Sequence, residues 1–523
     1  MIIYQIYPRS FLDTNGDGNG DLAGVIARLD YVKALGVDAI WLSPFFTSPM
    51  KDFGYDISDH RAVDPSFGTL ADFRRLVQRA RELSLGVLID LVGSHTSEAH
   101  PWFKDSVART NDRDDWYLWA DPKSDGSPPN NWVSVFGGSA WQWSAVRRQY
   151  FYHAFLSSQP DLNLHQPVVQ EELIAIMRFW LEEGIAGFRL DATNHYFQDV
   201  RLRDNPPKPD VSGALHPYAY QVHVHDQGQP EILPFLARIR KVLDAYGAFS
   251  VGEVGGTDPI ALMGDYTGPR GLHSAYSFAL MRGAQSAAYM RDTLQRIQSS
   301  VTSPARPCYA FSNHDKPRVV TRWGRGRDPR AVAKQYLALL VSLPGNLCLY
   351  QGEELGLPEA DVPFERLRDP YGLTFWPVFK GRDGARTPMP WTPGENAGFS
   401  AGEPWLPIPA EHQALNVRDQ EDDPTSVLHF ARRALALRRE RHELMDGDIV
   451  FLDWGDDVLA FARTSGGKTT QCVFNLGLAS CVLRLASELD SAALAEAAAW
   501  ENGTLRLDVG GFVLQSAVAP PPP

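Results

Sequence analysis

The sequence predicts an α/β protein built on a (β/α)8 TIM barrel, with a subdomain inserted after the third strand and an antiparallel β domain at the C-terminus. Three observations lead there. Eight apolar runs of strand type recur, at Ile2–Tyr7, Ala39–Ser43, Val87–Val92, Gly187–Ala192, Phe249–Val254, Tyr276–Leu280, Cys308–Ser312 and Leu347–Tyr350. Amphipathic helical stretches such as Leu22–Leu35 and Leu70–Leu85 separate most of them, as parallel strands with crossover connections require. Polar clusters follow the runs repeatedly, where a barrel places its working residues: His95 after the third, Arg189 and Asp191 closing the fourth, Glu253 closing the fifth and Asn313-His314-Asp315 closing the seventh. A doubly wound open sheet is the alternative, but no Gly-rich phosphate loop follows the first strand.

Taken in order, the first run is followed by Asp13-Thr14-Asn15-Gly16-Asp17-Gly18-Asn19-Gly20-Asp21. Asp13, Asn15, Asp17, Asn19 and Asp21 thus sit at alternate positions around glycines, and hard cations need several oxygens on a backbone that can curl. These five are candidate ligands of a structural Ca²⁺, with Mg²⁺ second. The late bidentate Glu of an EF-hand loop is lacking, and a polar turn capped by Asp and Asn is the competing reading. Residues 97–165, rich in Trp, Asp, Pro and Gly, are too long for a βα loop and read as a small subdomain beside the site. The helical segment Glu171–Glu183, with Gly184 as its stop, leads into Gly187–Ala192. There Arg189 and Asp191 share one strand face, so the guanidinium can hold a carboxylate ionised and aimed; a structural ion pair fits the same pattern. Glu253 follows apolar neighbours that raise a carboxyl pKa, which suits a proton donor.

The Pro-rich residues 199–234 carry His216, His223 and His225 at spacings that match no compact ligand set, and read as a lid or wall of the pocket. After the amphipathic Val427–Arg439, short alternating strands at Ile449–Leu452, Val458–Arg463 and Thr470–Phe474 indicate a C-terminal β-sandwich ending in a disordered tail, Pro520–Pro523. The boundaries follow: barrel 1–96 and 166–446, inserted subdomain 97–165, C-terminal domain 447–523.

A net charge of −13 without a basic stripe argues against nucleic acid. Cys308, Cys348, Cys472 and Cys481 lack metal-ligand spacing and read as buried free thiols of a reducing compartment. No apolar run reaches the roughly 18 residues of a membrane helix, and no signal peptide precedes the first strand. A cytoplasmic protein is expected, monomer or homodimer, with no membrane partner and no organic cofactor.

Several stretches together resemble the α-amylase family of glycoside hydrolases, family 13, in its α-glucosidase branch of maltases, oligo-1,6-glucosidases and glucosyl-transfer enzymes. They are Ile3 to Phe11, Asp52-Phe53-Gly54-Tyr55-Asp56, Gly187 to Asp191, Val251-Gly252-Glu253, Ser312 to Asp315 and Ala385 to Trp391. The resemblance implies Asp191 as nucleophile, Glu253 as general acid/base and Asp315 as a third carboxylate binding sugar hydroxyls. It implies that His95 and His314 hydrogen-bond the sugar, that Arg189 stands beside the nucleophile, and that Asp52 and Arg386 pair to close the pocket. Tyr55 would stack on the glucose ring, with Phe136 and Phe155 as apolar walls. Gly93-Ser94 replaces the Val-Asn of many relatives, so a second calcium site is not expected. Ala192, just after the nucleophile, leans to α-1,4 linkages. The implied activity is a retaining exo-α-glucosidase acting on maltose and similar α-glucosides, with transfer to alcohol or sugar acceptors. A transferase-dominant, oligo-1,6-glucosidase or sucrose-isomerising enzyme is the near alternative, and a non-catalytic scaffold the distant one.

Overall fold

The computed structural model describes all residues except 282–285, 485–492, 502 and 518–523. The Pro520–Pro523 tail lies outside the described residues. Eight parallel strands close into a barrel: β1 (Ile2–Ile6), β2 (Ala39–Leu42), β3 (Gly86–Leu91), β4 (Gly187–Leu190), β5 (Phe249–Val254), β6 (Ser274–Ser277), β7 (Arg306–Tyr309) and β8 (Asn346–Tyr350). Each strand neighbours its sequence neighbours and β8 returns to β1. The sixth and seventh strands start two residues before the apolar runs that mark them; after Ser277 the chain turns into a 3-10 helix at Phe278–Met281.

Local chemistry accounts for the helix limits. The Leu22–Leu35 stretch forms two helices, Leu22–Ala27 and Leu29–Ala34, broken at Arg28, whose backbone leaves the helical region. The helix before β4 runs Pro167–Glu182, four residues earlier than its periodicity suggests, because a proline at the first position sacrifices no helical hydrogen bond. It buries Leu173, Ile174, Ile176, Met177, Trp180 and Leu181. Leu70–Glu82 opens with a capping box between Thr69 and Asp72.

Residues 97–165 carry a helix at Pro101–Ala108 and a three-stranded antiparallel sheet (Trp119–Ala120, Gln149–Tyr152, Trp141–Ser144) around Trp132, Trp141 and Tyr152. Residues 199–234 lie against it, with Trp132 Nε1 donating to the Arg203 carbonyl at 2.8 Å.

The C-terminal strands are β9 (Asp448–Asp453), β10 (Val458–Ser465), β11 (Lys468–Asn475), β12 (Cys481–Leu483), β13 (Leu494–Glu501) and β14 (Thr504–Ala517). They pair into one antiparallel network of order β9-β10-β11-β14-β12, with β13 also on β14, around a buried cluster of Val458, Ala460, Val473, Leu505, Leu507 and Val513. The cause is the length of β14: its first part pairs with β12 and its second with β11, and β13 follows both. Two buried arginines lie where this sheet meets the barrel, and of the two Arg463 reaches across from the sheet. Arg438 donates to the carbonyls of Val341, Leu343, Leu444 and Gly345, and Arg463 to those of Ser342, Leu444 and Gly447. The four cysteines are free; Cys308, Cys348 and Cys472 are buried.

Candidate active site

The site forms where β3, β4, β5 and β7 end, and strand register decides who meets whom. Asp90 on β3 stands opposite Arg189 on β4, Arg189 opposite Val251 on β5, and Glu253 opposite Tyr276 on β6. Arg189, fully buried, donates through Nη1 to Asp90 (2.7 Å) and Asp191 (2.5 Å) and through Nη2 to Glu253 and the Tyr276 hydroxyl (2.9 Å). One guanidinium therefore carries three carboxyl groups. Its fixed fork suits that task better than an ammonium would.

A single positive charge cannot offset three negative ones in a dry environment, so protons are retained. Burial pushes the Asp191 carboxyl up to about 7; Arg189 opposes this, while Asp90 and Asp315 add to it. Burial likewise raises Glu253 to about 7, against Arg189 and with help from Asp191 and Asp315. Asp90 rises to about 6, mainly through burial, with Arg189 opposing. Asp191 is thus less firmly ionised than Arg189 alone would make it. Glu253 follows the expectation from its apolar surroundings. Asp315 behaves oppositely: burial pushes it up, but the guanidiniums of Arg382 and Arg386 hold it well below the usual carboxylate range.

Around this cluster lies a cavity of about 540 Å³, lined by Asp52, Tyr55, His95, Phe136, Phe155, Asp191, Glu253 and Asp315 among others. Arg189, His314 and Arg386 are not among the lining residues; they form its backing. Gln5 Nε2 lies 2.7 Å from His314 Nδ1 and can only donate, so the ring carries its proton on Nε2, 2.6 Å from the Tyr55 hydroxyl. Burial keeps His314 neutral. Tyr55 passes a hydrogen bond on to Asp90 (3.2 Å) and lies parallel to the His314 ring at 5.3 Å. His95 contacts Gln159 and the Tyr55 carbonyl through Nε2. Phe155 packs against His95 (5.2 Å) and Phe136 (6.5 Å).

One predicted pair is corrected. Arg386 does not hold Asp52; it donates to Asp315 (2.9 Å) and to the His314 carbonyl (2.8 Å). The partner of Asp52 is Arg382, at 2.6 Å, which also contacts Asp369 (2.7 Å) and Asp315 (3.3 Å). The two arginines flank the 3-10 turn Asp383–Ala385, which sends Arg386 inward beneath Asp315 and leaves Arg382 at the cavity. Gln159 Nε2 takes the other oxygen of Asp52 at 3.0 Å.

The loop after β1 closes on itself. Asp13 accepts the N–H groups of Asn15, Gly16 and Gly18 and the Ser400 hydroxyl, and Asn15 accepts from Asp17 N–H. Asp17 accepts from Asn19 N–H, Asn19 from Arg9, and Asp21 from Thr14 and from Gly24 N–H, capping the helix Leu22–Ala27. Every one of the five oxygen-bearing side chains thus has a donor. Among the described residues no group of three or more His, Cys, Asp or Glu is placed to hold a metal ion. That includes His216, His223 and His225, although Tyr218, His223 and Gln227 do make residues 199–234 a wall of the cavity.

The α-amylase catalytic domain model matches residues 5–447. The chain belongs to the α-amylase family of glycoside hydrolases. It is 52% identical over 492 residues to a protein described as a probable α-glucosidase of Rhizobium meliloti (strain 1021), covering 91% of this chain and 88% of that one. It is 36% identical over 520 residues to an oligo-1,6-glucosidase of Parageobacillus thermoglucosidasius, covering 92% and 91%. A crystal structure of an α-glucosyl transfer enzyme superposes with a TM-score of 0.94 at 52% identity, covering 98% of each chain. Within this family member, sequence reasoning passed over Asp90, Tyr276, Arg382 and Asp369. Asp90 carried a signal, a carboxylate inside the apolar run Val87–Val92; the others had none at the level of local sequence.

Proposed function

We propose that the protein is a retaining exo-α-glucosidase that removes the non-reducing α-glucosyl unit of short substrates such as maltose, α-1,4 linkages being favoured, and that transfers glucose to hydroxyl acceptors. The observation that carries this reading is the sharing of Arg189 by Asp191 and Glu253. Retaining glycosidases need two carboxyls roughly 5–5.5 Å apart, one ionised to attack the anomeric carbon and one protonated to release the leaving group. One proton held between two carboxyls of similar affinity supplies that pair. Asp315, ionised, accepts sugar hydroxyls. The Asp52–Arg382 contact, backed by Asp369, closes the far end of the cavity, which suits a single glucosyl unit and therefore exo-action.

Asp191 attacks as Glu253 protonates the glycosidic oxygen; water or an acceptor hydroxyl, deprotonated by Glu253, then releases the sugar. The oligo-1,6-glucosidase relative and a trehalulose synthase structure (TM-score 0.89, 31% identity, 99% of each chain) favour α-1,6 hydrolysis or sucrose isomerisation as the second reading. A Ca²⁺ (or Mg²⁺) at Asp13, Asn15, Asp17, Asn19 and Asp21 belongs to the same proposal as a structural ion only. So does a cytoplasmic location; no described helix is long and apolar enough to cross a membrane.

The deciding experiment follows the anomeric form of the first glucose from maltose, isomaltose and sucrose, for wild type and Asp191→Ala. Release of α-glucose from maltose, lost in the variant, supports the proposal. Release of β-glucose overturns it.

A further inference from the structure

Asn194, three residues beyond the nucleophile, is 3% exposed and touches three parts of the site. Its Oδ1 accepts the N–H of Gly255 at 2.8 Å, two residues past Glu253. Its Nδ2 donates to Gln227 Oε1, and its carbonyl accepts the Gly228 N–H at 2.7 Å. Gln227 Nε2 donates in turn to the Tyr218 hydroxyl at 3.1 Å, and the Tyr218 ring stacks on His223 at 3.7 Å. The neighbouring Thr193 hydroxyl donates to the Glu253 carbonyl at 2.6 Å. A Cβ at position 255 would stand 3.2 Å from Asn194 Oδ1, so the glycine there is what lets the amide reach the backbone of the Glu253 loop.

We propose that Asn194 and Gln227 are positioning residues that tie the wall formed by residues 199–234 to the Glu253 loop, and thereby set how the glucosyl-enzyme divides between water and a hydroxyl acceptor. The inference rests on the transfer activity proposed above. In the transfer step the acceptor O–H gives its proton to the Glu253 carboxylate while its oxygen bonds the anomeric carbon. The bond from that carbon to Asp191 breaks and Asp191 leaves as a carboxylate. Water needs little beyond Glu253 to react. A sugar acceptor must also be held by the cavity wall, and a misplacement of about 1 Å costs on the order of 100-fold. Tyr218, His223 and Gln227 supply that wall on the excursion side. The Asn194 amide is the joint between it and the backbone that carries Glu253. Without the joint, the acceptor loses its fixed distance to the base while water does not.

The test uses the protein as it stands, with an aryl α-glucoside as donor and graded cellobiose, a β-linked sugar that is not itself a substrate, as acceptor, comparing wild type, Gln227→Met and Tyr218→Phe. Released aryl alcohol counts total turnover, free glucose counts hydrolysis and glucosyl-cellobiose counts transfer. The transfer-to-hydrolysis ratio should fall at least about tenfold in Gln227→Met, which loses its hydrogen bonds to both Asn194 and Tyr218, and severalfold in Tyr218→Phe, which loses the second alone. The pH dependence of hydrolysis should keep its shape in both. A ratio equal to wild type in both variants, or transfer and hydrolysis falling in parallel, overturns the proposal. If Gln227→Met does not fold, Tyr218→Phe, which deletes one hydroxyl, carries the decision. Wild type that forms glucose but no transfer product overturns the underlying activity as well, and that result is visible before any variant is made.

Discussion

Asp90 never reaches the cavity, yet replacing it with Asn should move the pH optimum of the enzyme. Its carboxylate and that of Asp191 both lie on Nη1 of Arg189, at 2.7 and 2.5 Å, so the two oxygens are no more than about 5 Å apart. Two negative charges at that distance repel by about 3 kcal/mol at an effective dielectric near 20, equivalent to about two pKa units. Asp90→Asn removes that repulsion and leaves Arg189 to two carboxyls instead of three. Both changes favour the ionised form of Asp191 and, more weakly, of Glu253. The acidic limb of kcat/KM reports protonation of the nucleophile, so it should move to lower pH by one to two units. The alkaline limb, which reports loss of the acid's proton, should follow in the same direction. The assay is kcat/KM for an aryl α-glucoside across pH 4–9, with the melting temperature checked at each end. An acidic limb that stays within about 0.3 units of wild type would refute the electrostatic account of the cluster.

Glu253→Gln should reduce kcat/KM on maltose by about 10²–10⁴-fold, and much less on a dinitrophenyl glucoside whose leaving group needs no proton. Arg382→Ala leaves Asp52 and Asp369 buried without their cation; kcat/KM for maltose should fall at least about tenfold, while its ratio to that for maltotetraose shifts toward the longer substrate as the cavity end opens. Glu353 and Glu359, both raised to about 7 by burial, bind protons in the folded state that the unfolded chain has already released. Stability should therefore fall between about pH 4.5 and 7, and Glu353→Gln should flatten that slope in melting curves. If a metal sits in the Asp13–Asp21 loop, as proposed, chelation lowers the melting temperature more than it alters turnover at moderate temperature; an unchanged melting temperature counts against the metal.

The barrel was legible because its eight strands are short apolar runs whose ends carry charge, a pattern that survives without knowledge of pairing. Boundaries shifted where a local rule outweighed periodicity, as at Pro167 and at Arg28. The carboxyl groups Asp191, Glu253 and Asp315 were readable singly from their motifs. Their mutual dependence was not, since register across β3, β4 and β5 is what brings Asp90 and Glu253 to one guanidinium. Arg382 and Arg386 illustrate the limit most plainly: both lie within five residues, both are arginines, and only the turn between them decides which reaches Asp52. The Asp13–Asp21 loop shows a related ambiguity, because oxygens spaced for a cation are also spaced to cap turns.

Arg463 has a consequence for where this chain can be divided. A boundary drawn at residue 446 by pattern separates Arg463 from the carbonyls of Ser342 and Leu444 that it caps. A barrel truncated there would leave the Ser342 carbonyl bare, in a place shaped to exclude water, and Leu444 with its bond from Arg438 alone. The C-terminal sheet, which packs on the helices Ala287–Ser300 and Pro329–Ser342, is therefore a cover for one flank of the barrel, and a shortened protein should be sought at the bench as an aggregate before it is sought as an enzyme.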